Sequence, residues 1–150
     1  GLVGELLASD LNPDAVELLF DNLHRWGALN MPKESTPLSE VSPGWRVGVA
    51  DALTLAQDGD LVGSFDLLLV NLPHDTMEHL PHLLPLLRRG SPTLVRGWVV
   101  AADDDLPKFN SHLEHLLHPV LDGHPIPLLE KRRQYNATEW LCRFEAWLKL

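Results

Sequence analysis

Thiols are nearly absent from the sequence: one cysteine, Cys142, stands among 150 residues. Neither a disulfide framework nor a thiolate zinc site can be built from one cysteine. Its place in the alternating run Trp140-Leu141-Cys142-Arg143-Phe144 reads as a buried apolar position. Long apolar runs are missing too. No stretch approaches the roughly 18 residues of a spanning helix, and no signal peptide is visible. We therefore expect a soluble, intracellular protein, in the cytoplasm first, with mitochondrion and nucleus as alternatives. Basic residues are scarce, 12 against 21 acidic ones, for a formal net charge of -9. That balance opposes non-specific attachment to nucleic acid or an anionic membrane. If RNA is the substrate, most phosphate contacts must come from outside this chain. Two basic clusters remain, Arg88-Arg89 with Arg96 and Lys131-Arg132-Arg133. We read them first as solvated helix and strand ends, and second as RNA contacts.

Two further signatures are lacking. No G-x-G-x-x-G occurs anywhere, and no cluster has the spacing of a metal site. His112, His115 and His118 repeat every third residue, but the outer two lie about 120° apart at about 100° per residue, so a wet helix face is expected instead. Asn136-Ala137-Thr138 matches a glycosylation sequon, which we take as chance in an intracellular chain. There is no internal repeat.

What is present is an alternation of strand and helix signals, which favours a parallel, doubly wound sheet in one domain. Glu5 to Leu11 reads as a strand. Pro13 suits a first helical turn with Asn12 as N-cap, and Val16, Leu19, Phe20 and Leu23 then repeat at helical spacing up to Gly27. Residues 30–44 carry Pro32, Pro37, Pro43 and three serines, and read as a long surface loop and the likeliest disordered segment. Trp45 to Ala50 and Asp66 to Val70 are the next strands. A helix is expected over His74 to Arg89, kinked or restarted at Pro81 and Pro85. Thr93 to Ala102 has the continuous β-rich composition of a strand covered on both faces. Leu106, Phe109, Leu113, Leu116 and Val120 mark another helix, and Ile126 to Lys131 with Glu139 to Trp147 read as a closing antiparallel pair.

Three strands end in acidic or amide residues: Asp10, Asp51 and Asn71. Open α/β folds bind ligands at the carboxyl edge of the sheet. There Asn71-Leu72-Pro73 offers a carboxamide, both donor and acceptor, beside a fixed turn, which suits a planar nitrogen base. Each residue also has a plainer role. Asp10 can close a turn, Asp51 can cap a helix over Ala52 to Gln57, and Asn71 can cap the helix after Pro73.

The run Ala8-Ser9-Asp10-Leu11-Asn12-Pro13, the run Asn71-Leu72-Pro73 with Glu78 and Leu80 downstream, and the terminal Glu139-Trp140-Leu141-Cys142 together resemble one family. It is the catalytic domain of the eukaryotic and archaeal tRNA guanine-N1 methyltransferases, which modify the guanosine 3′ of the anticodon. The resemblance covers nearly the whole chain. It implies a Rossmann-like class I methyltransferase fold, α/β, mostly parallel with a closing antiparallel C-terminal strand, that binds S-adenosylmethionine and acts on tRNA without a metal. It assigns the cofactor to Asp10 with Leu11 and Asn12, to Asp51 with Ala52, and to Asn71. Asp10 would accept hydrogen bonds from the ribose hydroxyls and Asp51 would reach the adenine amino group. Asn71 and Pro73 match the target-base motif and are the expected catalytic positions.

The sequence departs from the family pattern in two ways. The related adenine-N6 enzymes carry a proline and an aromatic where this chain has Leu72 and His74, so the motif itself holds no aromatic on which a base could stack. His79, too, stands where the resemblance leads us to expect an aromatic, while His74 is placed to line a pocket mouth. The family's first strand and glycine loop should precede Gly1, and its general base lies upstream as well. The chain is therefore expected to be the larger, C-terminal part of a catalytic domain. Three other readings stay open. They are a non-catalytic interaction domain that kept the fold, a wybutosine-pathway transferase using the same cofactor, and a nicotinamide oxidoreductase, in which Asn71-Leu72-Pro73 would have no role.

Overall fold

The computed structural model describes residues 4–26 and 32–150. The chain divides into two compact units, Gly1–Leu55 and Ala56–Leu150.

In the first unit, β1 (Leu6–Asp10) leads into α1 (Pro13–Arg25), followed by β2 (Ser39–Ser42) and β3 (Trp45–Val49). The sheet order is β1-β3-β2. Strands β1 and β3 run parallel, with Leu6 opposite Trp45 and Asp10 opposite Val49. Helix α1 starts as the sequence dictates: Asn12 Oδ1 accepts from the Asp14 amide at 3.0 Å, and Pro13 needs no partner for a missing N–H. Val16, Phe20 and Leu23 are buried with Val47, and Leu6, Ala8, Leu19, Val41, Trp45 and Val49 pack around them. The end of the helix stripe at Gly27 lies outside the described residues.

Strand β2 corrects the reading of residues 30–44 as loop, of which 30 and 31 also lie outside the described residues. Ser39 pairs with Val47 and Ser42 with Trp45, with a register shift between Glu40 and Ser42. Pro43-Gly44 joins the strands, and Gly44 takes φ +75°. Proline followed by a glycine at positive φ is the signature of a type II turn. The prolines and serines concealed that pairing because a four-residue strand is too short for its alternation to stand out.

The second unit holds β4 (Leu67–Val70), α2 (Thr76–Leu83), β5 (Thr93–Ala102), α3 (Leu106–Leu117), β6 (Glu130–Gln134) and β7 (Glu139–Leu148), in the sheet order β4-β5-β7-β6. β4 and β5 are parallel; β7 pairs antiparallel with β5 and β6, as expected for the closing strands. On one face of β7, Cys142, Phe144, Ala146 and Leu148 are all buried. Among the described residues, β1 and β4 each pair through one edge only.

Several elements differ from the sequence reading. Helix α2 begins at Thr76, not His74, because residues 73–75 form a turn. It tolerates Pro81 but stops at Leu83, and a 3-10 turn over Leu84–Leu86 carries Pro85 in its first residues. Strand β5 is not covered on both faces: Leu94, Arg96 and Trp98 are half-buried, and Arg96 Nε donates to Glu145 on β7 at 2.8 Å. Strand β6 begins at Glu130 rather than Ile126, because the Leu129 amide donates to Asn110 Oδ1 on α3 at 2.9 Å. On α3 the fully buried pair is Leu113 and Leu117, while Leu106, Phe109, Leu116 and Val120 are half-buried and His112, His115 and His118 face solvent.

Candidate functional site

The carboxyl edge of the first unit is built by parallel pairing. The Ala50 amide donates to Asp10 O at 3.1 Å, which joins the exits of β1 and β3 and sets Asp10 and Asp51 at the ends of neighbouring strands. Asp10 Oδ1 accepts from the Asn12 amide at 2.8 Å, an Asx turn that aims the chain into α1. The second carboxylate oxygen has no hydrogen bond among the described residues. Asp51 Oδ1 accepts from the Leu53 amide at 2.9 Å and caps the 3-10 turn Ala52–Gln57. The turn and cap roles of both aspartates are thus real, and each uses only one of two oxygens. Leu11 is 66% exposed at this edge. Asn12 spends its carbonyl on the helix cap, and Ala52 is half-buried at the start of the 3-10 turn.

In the second unit, Asn71 leaves the carboxyl end of β4, one residue past the Val70–Gly97 pairing. It does not cap α2. The N-cap position is Asp75, five residues into the turn that Asn71 opens, and Asn71's exposed carboxamide has no hydrogen bond among the described residues. The turn itself is firmly held. Leu72 O accepts from the Asp75 amide and the buried Thr76 hydroxyl, each at 2.8 Å, and Pro73 O accepts from the Val100 amide on β5 at 2.8 Å. A polar group with no structural task on a rigid turn at a sheet edge is free to meet a ligand.

His79 is half-buried with Nδ1 3.0 Å from Asp75 O, so it stabilises α2's first turn and lines nothing. His74 is exposed, and its Nε2 lies 3.1 Å from Tyr135 Oη, with the rings edge to face at 5.4 Å between centroids. Tyr135 was not singled out in the sequence reading. It follows β6 directly, 61 positions from His74, and only the sheet order brings the two together. Its being the one tyrosine of the chain, next to turn-forming Asn136, was the available signal.

In the first basic cluster, Arg88 pairs with Asp66 at 2.9 Å and Arg96 pairs with Glu145, while Arg89 is exposed. In the second, Lys131 pairs with Asp103 and stands over the Trp140 ring, and Arg132 lies 3.7 Å from Glu130. Arg133 has no ion pair among the described residues. These residues hold no group of three or more His, Cys, Asp or Glu side chains that could bind a metal ion. Among the described residues, no helix is long and apolar enough to cross a membrane.

No protein-family model matches the sequence, and no curated protein matches it. Solved structures do. The M. jannaschii TYW2 in complex with AdoMet is 16% identical with a TM-score of 0.66, covering 97% of this chain and 58% of that one. A putative transferase from Pyrococcus horikoshii is 13% identical with a TM-score of 0.57, covering 97% of this chain and 49% of that one. An arsenic(III) S-adenosylmethionine methyltransferase from Chlamydomonas reinhardtii is 15% identical with a TM-score of 0.56, covering 97% of this chain and 55% of that one. The chain thus spans about half the length of the structures it matches, and at these identities the likeness is one of fold. With a parallel strand pair in each unit and β7 antiparallel in the second unit's sheet, the chain has the α/β, Rossmann-like fold of the class I methyltransferases.

Proposed function

We propose that this chain acts in S-adenosylmethionine-dependent methyl transfer, and that its acceptor is guanine N1 in tRNA beside the anticodon. The observation that carries the reading is the state of the polar groups at the strand ends. Asp10 keeps a carboxylate oxygen, and Asn71 a whole carboxamide, without hydrogen bonds among the described residues. The donor set fits the cofactor. An ionised carboxylate is acceptor-only and suits the two ribose hydroxyls, which only need to donate. Asp51 keeps an oxygen for an exocyclic amino group, with Ala52 beside it and the exposed Leu11 available to an apolar face.

The bound cofactor would supply an activated methyl group on sulfur. What the chain supplies is orientation. The Pro73–Val100 hydrogen bond fixes the backbone from which Asn71 projects, and holding two reactants in line is the main requirement of such a transfer. Asn71 can accept from and donate to a purine edge at once, which a carboxylate cannot. We assign the removal of the N1 proton to no residue of this chain.

The test is transfer from methyl-labelled S-adenosylmethionine to tRNA transcripts, followed by nucleoside analysis. We expect N1-methylguanosine, and a drop in turnover of tenfold or more in Asn71→Ala. Label on another base or another atom would overturn the guanine assignment. A second reading is favoured by one observation, the fold match to TYW2. On it the chain would move a larger group from the same cofactor, and the mass of the modified nucleoside separates the two. Retention of Asn71 favours methyl transfer.

A further inference from the structure

From the His74–Tyr135 contact we propose that these two rings form the stacking wall for the acceptor base, and that Arg133 holds the phosphate on that nucleotide's ribose. This deepens the methyltransferase reading and rests on it for the identity of the acceptor. The motif Asn71-Leu72-Pro73 brings no aromatic of its own. The fold delivers one from the far end of the sheet. β6 is antiparallel to β7, and β7 to β5, so β6 runs in the same direction as β4 and β5, and its last residues arrive at the carboxyl edge where Asn71 stands.

Both partners are held from behind and open in front. His74 belongs to the turn pinned by Pro73 O to the Val100 amide at 2.8 Å. Tyr135 opens a hairpin turn in which its amide donates to Glu139 O at 2.8 Å, while Asn136 Oδ1 accepts from the Thr138 and Glu139 amides, each at 2.9 Å. Tyr135 nevertheless stays 47% exposed. A rigid backbone carrying a solvent-facing aromatic pair is how proteins present stacking platforms to unpaired bases. In the edge-to-face contact each ring can cover at most one face of the other, and the 3.1 Å hydrogen bond ties the two together.

Arg133 supplies the charge. Strand alternation places it on the same face as Tyr135, two residues on. The register shift between Lys131 and Arg133 makes Arg132 the extra residue and sets Arg133 opposite Leu141. Lys131 and Arg132 are occupied by Asp103 and Glu130, whereas Arg133 has no ion pair among the described residues. In a chain of net charge -9, an exposed arginine without a partner beside an exposed ring pair marks a nucleotide more than a bare sugar or peptide.

The single tyrosine makes the test direct. Protein labelled with 3-fluorotyrosine gives one fluorine resonance, from Tyr135. We expect guanosine monophosphate to shift it saturably in the presence of S-adenosylmethionine, and ribose 5-phosphate to leave it in place. Guanosine should bind more weakly than its monophosphate, and Arg133→Gln should abolish that difference. In the transfer reaction, Tyr135→Leu should raise the KM for RNA roughly tenfold, as expected for one lost base stack, with the affinity for S-adenosylmethionine unchanged. Tyr135→Phe keeps the ring and loses the hydroxyl, so it should retain most of the binding and serves as the folded control. A resonance indifferent to the nucleotide, in protein shown by calorimetry to bind S-adenosylmethionine, would overturn this proposal and leave the methyltransferase reading intact. A nucleotide-induced shift in protein that does not bind S-adenosylmethionine would support the base platform and overturn the methyltransferase.

Discussion

At the residue scale, the strand-end aspartates hold turns and caps, and substitutions can separate that structural role from the proposed chemistry. Asp51 caps the 3-10 turn through Oδ1 and the Leu53 amide. Asp51→Ala should therefore cost about 0.5–2 kcal/mol of stability in denaturant titrations, and Asp51→Asn, which caps equally well, should restore it. Failure of asparagine to restore it would mean that the charge and not the cap stabilises the turn. Cys142 is fully buried, and burial pushes its thiol above the ordinary value of 9.0, with Lys131 opposing the shift. The thiolate is the reactive form, so native protein should resist alkylation at pH 8 and at pH values near 9.0, where an unfolded chain is labelled rapidly. Labelling at the same rate in native and unfolded protein would contradict the burial. The places of Asp10, Asp51 and Asn71 at strand ends were legible in sequence because strand, polar residue and turn lie side by side. Tyr135 was not, since no local pattern reports a contact made across 61 positions.

At the element scale, short-range chemistry decided what could be read. Asn12-Pro13 announces α1, and its apolar stripe survives intact in the core. Thr93–Ala102 was recognisable as β5 from composition, yet its half-buried second face came from a cross-strand ion pair, Arg96 with Glu145, that composition does not encode. The kink foreseen in α2 took the form of a stop at Leu83 because Pro85 follows, while Pro81 inside the helix removes one bond and no more. β2 stayed hidden behind its prolines. Packing sets the sharpest constraint on β5. A methyl group added at Gly97 would come within 2.5 Å of the Phe144 ring, which is 1% exposed and has no room to withdraw. Gly97→Ala should cost about 1–3 kcal/mol in chemical denaturation, the usual penalty of overpacking. An unchanged midpoint would mean that β5 and β7 are less tightly packed than the structure has them.

At the scale of the whole molecule, each unit carries a strand with one unpaired edge among the described residues, β1 in the first and β4 in the second. On β4 the apolar side chains of Leu67 and Leu69 are 49% and 55% exposed, in contrast to the buried Val70. Amides of β4 should accordingly exchange with deuterium much faster than those of β5 and β7, which pair over ten positions. The acidic balance, with 21 acidic residues to 12 basic ones, leaves little general attraction for RNA, so acceptor recognition should depend on few contacts and respond weakly to salt. The central claim is that the strand-end carboxylates bind S-adenosylmethionine, and calorimetric titration of the cofactor into this chain tests it most directly. The account predicts saturable binding with one site, reduced at least tenfold in Asp10→Ala. Folded protein that gives no heat of binding, or binds equally well with Asp10→Ala, would contradict it.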